Sequence, residues 1–157
     1  MADDLTLSPL VRSGVRMSAG ARKSERHFLD FVVNGRSLWQ AVGEGNDTVS
    51  ILCAEFVMDE TIAALERLLL QREADIPSGR RSLFVCAECG DLGCGAITAL
   101  MVKDGNSILW KDLGRENNYE KEVEVGPFRN IGPFAFDAAR YQYVLLEGLQ
   151  HLESMRR

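Results

Sequence analysis

The residues of this 157-residue chain best suited to chemistry are its four cysteines, of which Cys86, Cys89 and Cys94 fall within nine positions. In the run Val85-Cys86-Ala87-Glu88-Cys89-Gly90-Asp91-Leu92-Gly93-Cys94-Gly95, the Cys-x-x-Cys pair can curl two sulfurs toward one point. A glycine directly after Cys89 and another after Cys94 permit tight turns with backbone N–H groups near sulfur. Three thiolates gathered this way suit zinc, which in structural sites takes four N or S ligands in a tetrahedron. The fourth must come from elsewhere in the chain. Cys53 is the first choice, ahead of His27, His151 and Asp91, because it stands toward the end of a strand-like run that a neighbouring strand can lay beside the cluster. Two alternatives stand next to zinc: reduced cysteines in a glycine-rich turn with no metal, and either thiol redox chemistry at Cys86 and Cys89 or another metal. Gly90, Gly93 and Gly95 oppose the redox reading, since they disfavour the helix N-terminus that lowers a thioredoxin-like thiolate pKa. A disulfide framework belongs to small secreted domains, and this chain is long enough to build a core without one.

The second candidate is acidic. Tyr119 to Val125 alternates, with Glu120, Glu122 and Glu124 on one side, and Glu116 precedes them. On a strand these carboxylates would lie about 7 Å apart and form a face for a basic partner. The plain alternative is a solvated edge strand kept from aggregating by its charge. Trp110, near the end of a hairpin strand leading to this region, joins the candidate partner-binding set, although aromatics at strand positions more often build the core. His27 and His151 are the only histidines and neither sits in a motif. The Gly-x-Ser-x-Gly elbow, the phosphate loop, the dinucleotide fingerprint and His-Glu-x-x-His are all missing, so hydrolase, nucleotide and metalloprotease readings have no support.

The segment VCAECGDLGCGAIT is followed by Trp110-Lys111-Asp112, Gly114, Asn118-Tyr119-Glu120, Gly132-Pro133-Phe134 with Phe136-Asp137, and Tyr141. In these residues the chain resembles a family of uncharacterised small bacterial proteins built on a Cys-x-x-Cys-Gly-Asp-Leu-Gly-Cys-Gly core. The resemblance spans roughly residues 28–146. It implies that the cysteine cluster belongs to a shared architecture. Some members carry an oxidoreductase label without a demonstrated reaction, so no catalytic residue is carried over.

The elements that must position these residues follow from periodicity and turn chemistry. His27 to Val33 reads as a strand closed by Asn34-Gly35, the dipeptide suited to a tight hairpin. Ser37 to Val42 fits either a return strand or a short helical turn. Thr48 to Phe56 is strand-like. Asp59 is the expected N-cap of a helix carrying Ile62, Leu65, Leu68 and Leu69 that runs until Pro77-Ser78-Gly79. Ser82 to Val85 and Ala96 to Val102 flank the cysteines as strands, and Asp104-Gly105-Asn106 turns the second into Ser107 to Leu113. Asp137 caps a last helix whose Tyr141, Val144, Leu145, Leu149 and Leu152 share a face. The expected fold is α+β, a mostly antiparallel sheet of about five or six strands with two packed helices. Residues 1–26, which hold Arg12, Arg16, Arg22, Lys23 and Arg26 and breakers at Ser8-Pro9 and Ser13-Gly14, read as a basic, loosely ordered arm. Residues 27–157 read as a single domain.

Composition narrows the function classes. Hydrophobic residues are 46% and charged residues 26%, ordinary for a globular chain, and the net charge of −5 disfavours a nucleic-acid ligand. No apolar run approaches the length of a membrane span. The start Met-Ala-Asp-Asp-Leu places acid where a secretory signal carries base, so a cytoplasmic location is expected. The leading expectation is a protein-interaction module with a zinc-stapled loop, such as an immunity-type inhibitor of a basic toxin or nuclease. The alternative is a thiol- or zinc-dependent oxidoreductase or other enzyme that uses Cys86, Cys89 and Cys94.

Overall fold

A hairpin at the centre of the molecule delivers the cysteines, and the rest of the fold fixes its two ends. The structure, a computed structural model, describes residues 2–16 and 22–156. Its strands are β1 (Leu5–Arg12), β2 (Val15–Arg16), β3 (Arg22–Lys23), β4 (Arg26–Val33), β5 (Arg36–Ser37), β6 (Thr48–Ser50), β7 (Arg81–Cys86), β8 (Ala96–Asp104), β9 (Ser107–Glu116) and β10 (Phe134–Asp137). Its two α-helices are α1 (Met58–Leu68) and α2 (Ala138–Met155). One antiparallel sheet runs in the order β10-β9-β8-β7-β6, a second in the order β1-β4-β5, and β2 pairs with β3. The fold is therefore α+β, mostly antiparallel with two helices, as the sequence predicts. Among the described residues no helix is long and apolar enough to cross a membrane.

Local chemistry explains most boundaries. Asn34 (φ 53°) and Gly35 (φ 80°) supply the two positive φ angles of the tight turn between β4 and β5. The ambiguous stretch after it is both things in turn, the short β5 and then one helical turn over Trp39–Gly43. Helix α2 starts as expected, with Asp137 accepting from the Arg140 N–H at 2.9 Å, and it buries Tyr141, Val144, Leu145 and Leu152. Helix α1 differs at both ends. Its N-cap position is Val57, with Asp59 inside the first turn, where a carboxylate faces the positive end of the helix dipole. It stops at Leu68, well before Pro77, because Leu70 takes a left-handed conformation (φ 60°) and breaks the ladder.

The loosely ordered arm needs correction over most of its described length. Leu5–Arg12 is a full strand, paired with β4 from Leu5↔Val33 to Arg12↔Arg26, and both Leu5 and Arg12 are buried. Pro9 reads as a breaker in the sequence. It is tolerated here because β1 is an edge strand, one of the few places a sheet accepts a residue with no N–H to donate. Residues 1 and 17–21 of the expected arm lie outside the described residues.

The two sheets meet at both margins. Asp3 bridges to Phe136 of β10, and Cys53, just past β6, bridges to Phe28 of β4. Between them lies one main core in which Trp110 packs edge-on against Phe31, Phe136 and Tyr141 at ring separations of 5.6, 4.8 and 6.0 Å. Trp110 is 0% exposed and donates through Nε1 to the Tyr141 hydroxyl at 3.2 Å, which donates in turn to the Leu68 carbonyl at 2.7 Å. This overturns Trp110 as a partner-binding residue. A large ring with one polar atom, on the inward face of a central strand, is worth more to the core than to the surface.

Candidate metal centre

The cysteine loop is the connection of the β7–β8 hairpin, inside the five-stranded sheet, so its ends are held by Val85↔Ala96 pairing. Within it the backbone turns twice. The Gly90 N–H donates to the Cys86 carbonyl at 2.9 Å, with Gly90 at φ 70°. Asp91 then caps a single short turn over Leu92–Cys94, its Oδ1 accepting from the Gly93 N–H at 2.8 Å and its carbonyl from the Cys94 N–H at 3.1 Å. Gly95, at φ 104°, leads the chain into β8. The Asp91 N–H reaches the Cys89 Sγ at 3.4 Å. Glycine is favoured at 90 and 95 because positive φ angles disfavour residues with a Cβ, most strongly at the φ of 104° found at Gly95.

These turns bring Cys86, Cys89 and Cys94 together. Their sulfurs lie 3.5 to 4.1 Å apart, Cys89 and Cys94 at 3.5 Å, and all are free thiols. Zinc–sulfur bonds of about 2.3 Å at tetrahedral angles put ligand sulfurs about 3.8 Å apart. The spacing therefore suits a shared metal ion and is far too long for a disulfide, whose S–S bond is about 2.05 Å. Cys86 is half-buried while Cys89 and Cys94 are exposed. Burial pushes the Cys86 thiol up, but the Cys89 and Glu88 N–H groups and the other two thiols outweigh it and hold Cys86 below its ordinary value. Cys94 is pushed up to about 11, first by its hydrogen bond with Cys89 and then by the charge of Cys86. Three thiolates this close need a cation among them, and the cluster can hold a metal ion.

Residues far off in the chain hold the loop from outside. Arg12, buried in β1, donates to a Glu88 carboxylate oxygen, to both oxygens of Asp47 at 2.8 and 3.0 Å, and to the Ser24 carbonyl at 2.8 Å. Ser24 bonds Glu88 through its N–H at 3.1 Å and its hydroxyl at 3.0 Å. Arg26 donates to the carbonyls of Ala87 at 2.7 Å and Glu88 at 2.9 Å. Hydrogen bonding to Arg12 is the largest influence holding the Glu88 carboxyl down at about 2. Sequence reasoning missed this clamp. Its one visible trace was the basic character of residues 12–26, in which Arg12 and Arg26 serve the cysteine loop.

The other candidates fall differently. Cys53 is not with the three sulfurs: it is fully buried among Phe28, Val49 and Ala87, donates to the Glu55 carboxylate at 3.5 Å, and burial pushes its thiol up to about 12. The reason is that β6 ends at Ser50, after which the chain turns to pair Cys53 with Phe28 of β4 instead of continuing beside β7. His27 is occupied by Glu55 (Nδ1, 2.9 Å) and Glu25 (Nε2, 3.3 Å). Glu116 is buried, its Oε2 lying 3.2 Å from Arg80 Nε and accepting from the Thr98 hydroxyl at 2.5 Å. Beyond a bulge in β9, where Asp112 takes φ 51°, Gly114 and Glu116 lie opposite Thr98 and Ala96, and Arg80 covers them there, so Glu116 is buried by its partners and leaves the partner-binding set.

Glu120, Glu122 and Glu124 are exposed as expected, but residues 117–123 form no strand. The segment joins the sheet by the Arg115↔Glu124 bridge and by Val123 and Val125 packing on Gly114, and the Asn117 side chain folds its start by accepting the Tyr119 and Glu120 N–H groups at 3.2 and 2.8 Å. The acidic segment and Cys94 line one groove of about 470 Å³, with Gly95 and Arg115. No protein-family model, curated protein or solved structure matches the chain.

Proposed function

We propose that this chain is a zinc-binding interaction module in which Cys86, Cys89 and Cys94 hold the ion as thiolates and the fourth position takes a donor from outside the cluster. The observation that carries this reading is the set of three mutually adjacent sulfurs, two of them exposed. Thiolate ligands select zinc and other thiophilic ions over magnesium or calcium. Among the described residues no fourth His, Cys, Asp or Glu joins them. The loop is already fixed by Arg12, Arg26 and Asp91, so a metal contributes a binding point more than a staple. An ion with an open position is also what a zinc enzyme uses, and that alternative shares the same ligands. As part of the same proposal we place the chain with the small bacterial proteins whose Cys-x-x-Cys-Gly-Asp-Leu-Gly-Cys-Gly core it resembles. Elemental analysis of the purified protein, with thiol titration before and after chelation, tests it. One zinc per chain, retained by Cys53→Ser and lost by Cys89→Ser, is expected. Metal-free protein with three titratable surface thiols, or loss of zinc in Cys53→Ser, overturns the ligand set.

A second reading keeps the acidic segment as a docking face for a basic protein, as an immunity-type inhibitor would use. Its support is that Glu120, Glu122 and Glu124 are all exposed and line one groove. Reversing these three charges should slow association with a basic partner and flatten its salt dependence. Unchanged rates would remove this face from consideration.

A further inference from the structure

We infer that the outward position of the metal takes the thiolate of a small zwitterionic thiol, a molecule carrying sulfur, carboxylate and ammonium as free cysteine does. This deepens the proposed function and rests on its reading of Cys86, Cys89 and Cys94 as zinc ligands. Zinc with three thiolates carries a net charge of −1, so an anionic fourth donor needs a cation nearby. Arg115 supplies one. Its guanidinium stands 3.4 Å from where a Cβ on Gly95 would lie, next to Cys94, and it lines the same groove. Among the described residues this guanidinium has no ion pair or side-chain hydrogen bond, whereas the buried Arg12 and Arg80 are both fully engaged. The backbone of Arg115 is held by two hydrogen bonds of 2.9 Å with Glu124, so the charge is presented from a sheet position.

The remaining walls select the rest of the ligand. Glu120, Glu122 and Glu124 would repel a simple anion, but they suit an ammonium group. The groove, at about 470 Å³, is in the range that holds small molecules. Through Cys94, the one proposed ligand that lines this groove, a soft metal for sulfur would stand at its edge, with a guanidinium for a carboxylate and carboxylates for an ammonium along its walls. Coordination is a ligand exchange with no redox step: the thiol releases its proton to solvent, a zinc-bound water leaves, and the sulfur–zinc bond forms. A metal-bound thiol is deprotonated at neutral pH.

The test uses the full chain loaded with Co2+, whose thiolate charge-transfer absorption reports each added sulfur ligand. L-cysteine should increase that absorption saturably with the metal retained on gel filtration, and L-serine should not. Cysteamine, lacking the carboxylate, and 3-mercaptopropionate, lacking the ammonium, should each bind about tenfold more weakly, the scale of one lost charge-assisted hydrogen bond. Arg115→Gln should weaken L-cysteine and 3-mercaptopropionate about tenfold and cysteamine, which has no carboxylate for the guanidinium, distinctly less. Co2+-loaded protein that ignores L-cysteine, or surrenders its metal to it, overturns this inference while leaving the metal site in place. An Arg115→Gln variant that binds L-cysteine like the parent also overturns it. Failure to bind Co2+ at all defeats the proposed function itself.

Discussion

Between Cys86 and Gly95 the backbone near the thiols is tied down locally, by Gly90 to Cys86, by Asp91 to Gly93 and Cys94, and from outside by Arg12 and Arg26. Between Asn117 and Val125 the chain is tied at Asn117, whose side chain also donates to Glu120 at 2.7 Å, at the Arg115↔Glu124 bridge and by Val123 and Val125 against Gly114, and Glu122 and Glu124 spread into solvent. Both regions offer three chemistry-bearing side chains of one type. They differ in what brings like groups together. Thiols gather because turns with positive φ and N–H groups aimed at sulfur favour a shared point, and a metal ion can then neutralise them. Carboxylates have no such device here, so mutual repulsion and hydration keep them apart. The one carboxylate of the region that is buried, Glu116, has Arg80 and Thr98 as partners.

The contrast can be broken at several points. The largest stability effect belongs to Glu116→Ala, which strands the Arg80 charge and should cost about 3–5 kcal/mol in chemical denaturation. A loss below about 1 kcal/mol would mean that water reaches Arg80 and that the pair is not a buried anchor. Next come the thiols. Serine at Cys86, Cys89 or Cys94 should weaken the proposed metal binding in chelator competition by more than the roughly 10–100-fold that loss of an outer-shell partner costs, because it removes a ligand itself. Arg12→Ala should cost about 2 kcal/mol and speed amide exchange at Ala87 to Gly90, because it leaves Asp47 and Glu88 without their shared cation. Unchanged exchange there would mean the loop needs no outside clamp.

Acid offers a gentler test of the same clamp. The Glu88 carboxyl titrates near 2 in the fold against an ordinary value of 4.5. A depressed folded pKa means the stabilisation is present above about 4.5 and is lost as pH falls toward about 2. Stability measured across that window should fall more steeply for the parent than for Glu88→Gln. The smallest effect is expected from glutamine at Glu120, Glu122 or Glu124, each within about 0.5 kcal/mol of the parent stability. A larger change at Glu122 would reveal an ordered role for the segment.

The sequence by itself determined the class and most of the elements, because their signals are local. Asn34-Gly35 carries the positive φ angles of its turn, Asp137 caps its helix, and the spacing of Cys86, Cys89, Gly90, Cys94 and Gly95 already contains the turns that join three sulfurs. The tertiary structure decided whatever depended on a partner distant in the chain. It sent Cys53 to Phe28 and Glu116 to Arg80, buried Trp110 against Tyr141, and made the basic start of the chain an edge strand whose Arg12 grips Glu88, 76 residues away. A turn's chemistry lies in neighbouring residues and can be read there. A buried charge or a strand edge takes its meaning from what packs against it, and only the fold supplies that neighbour.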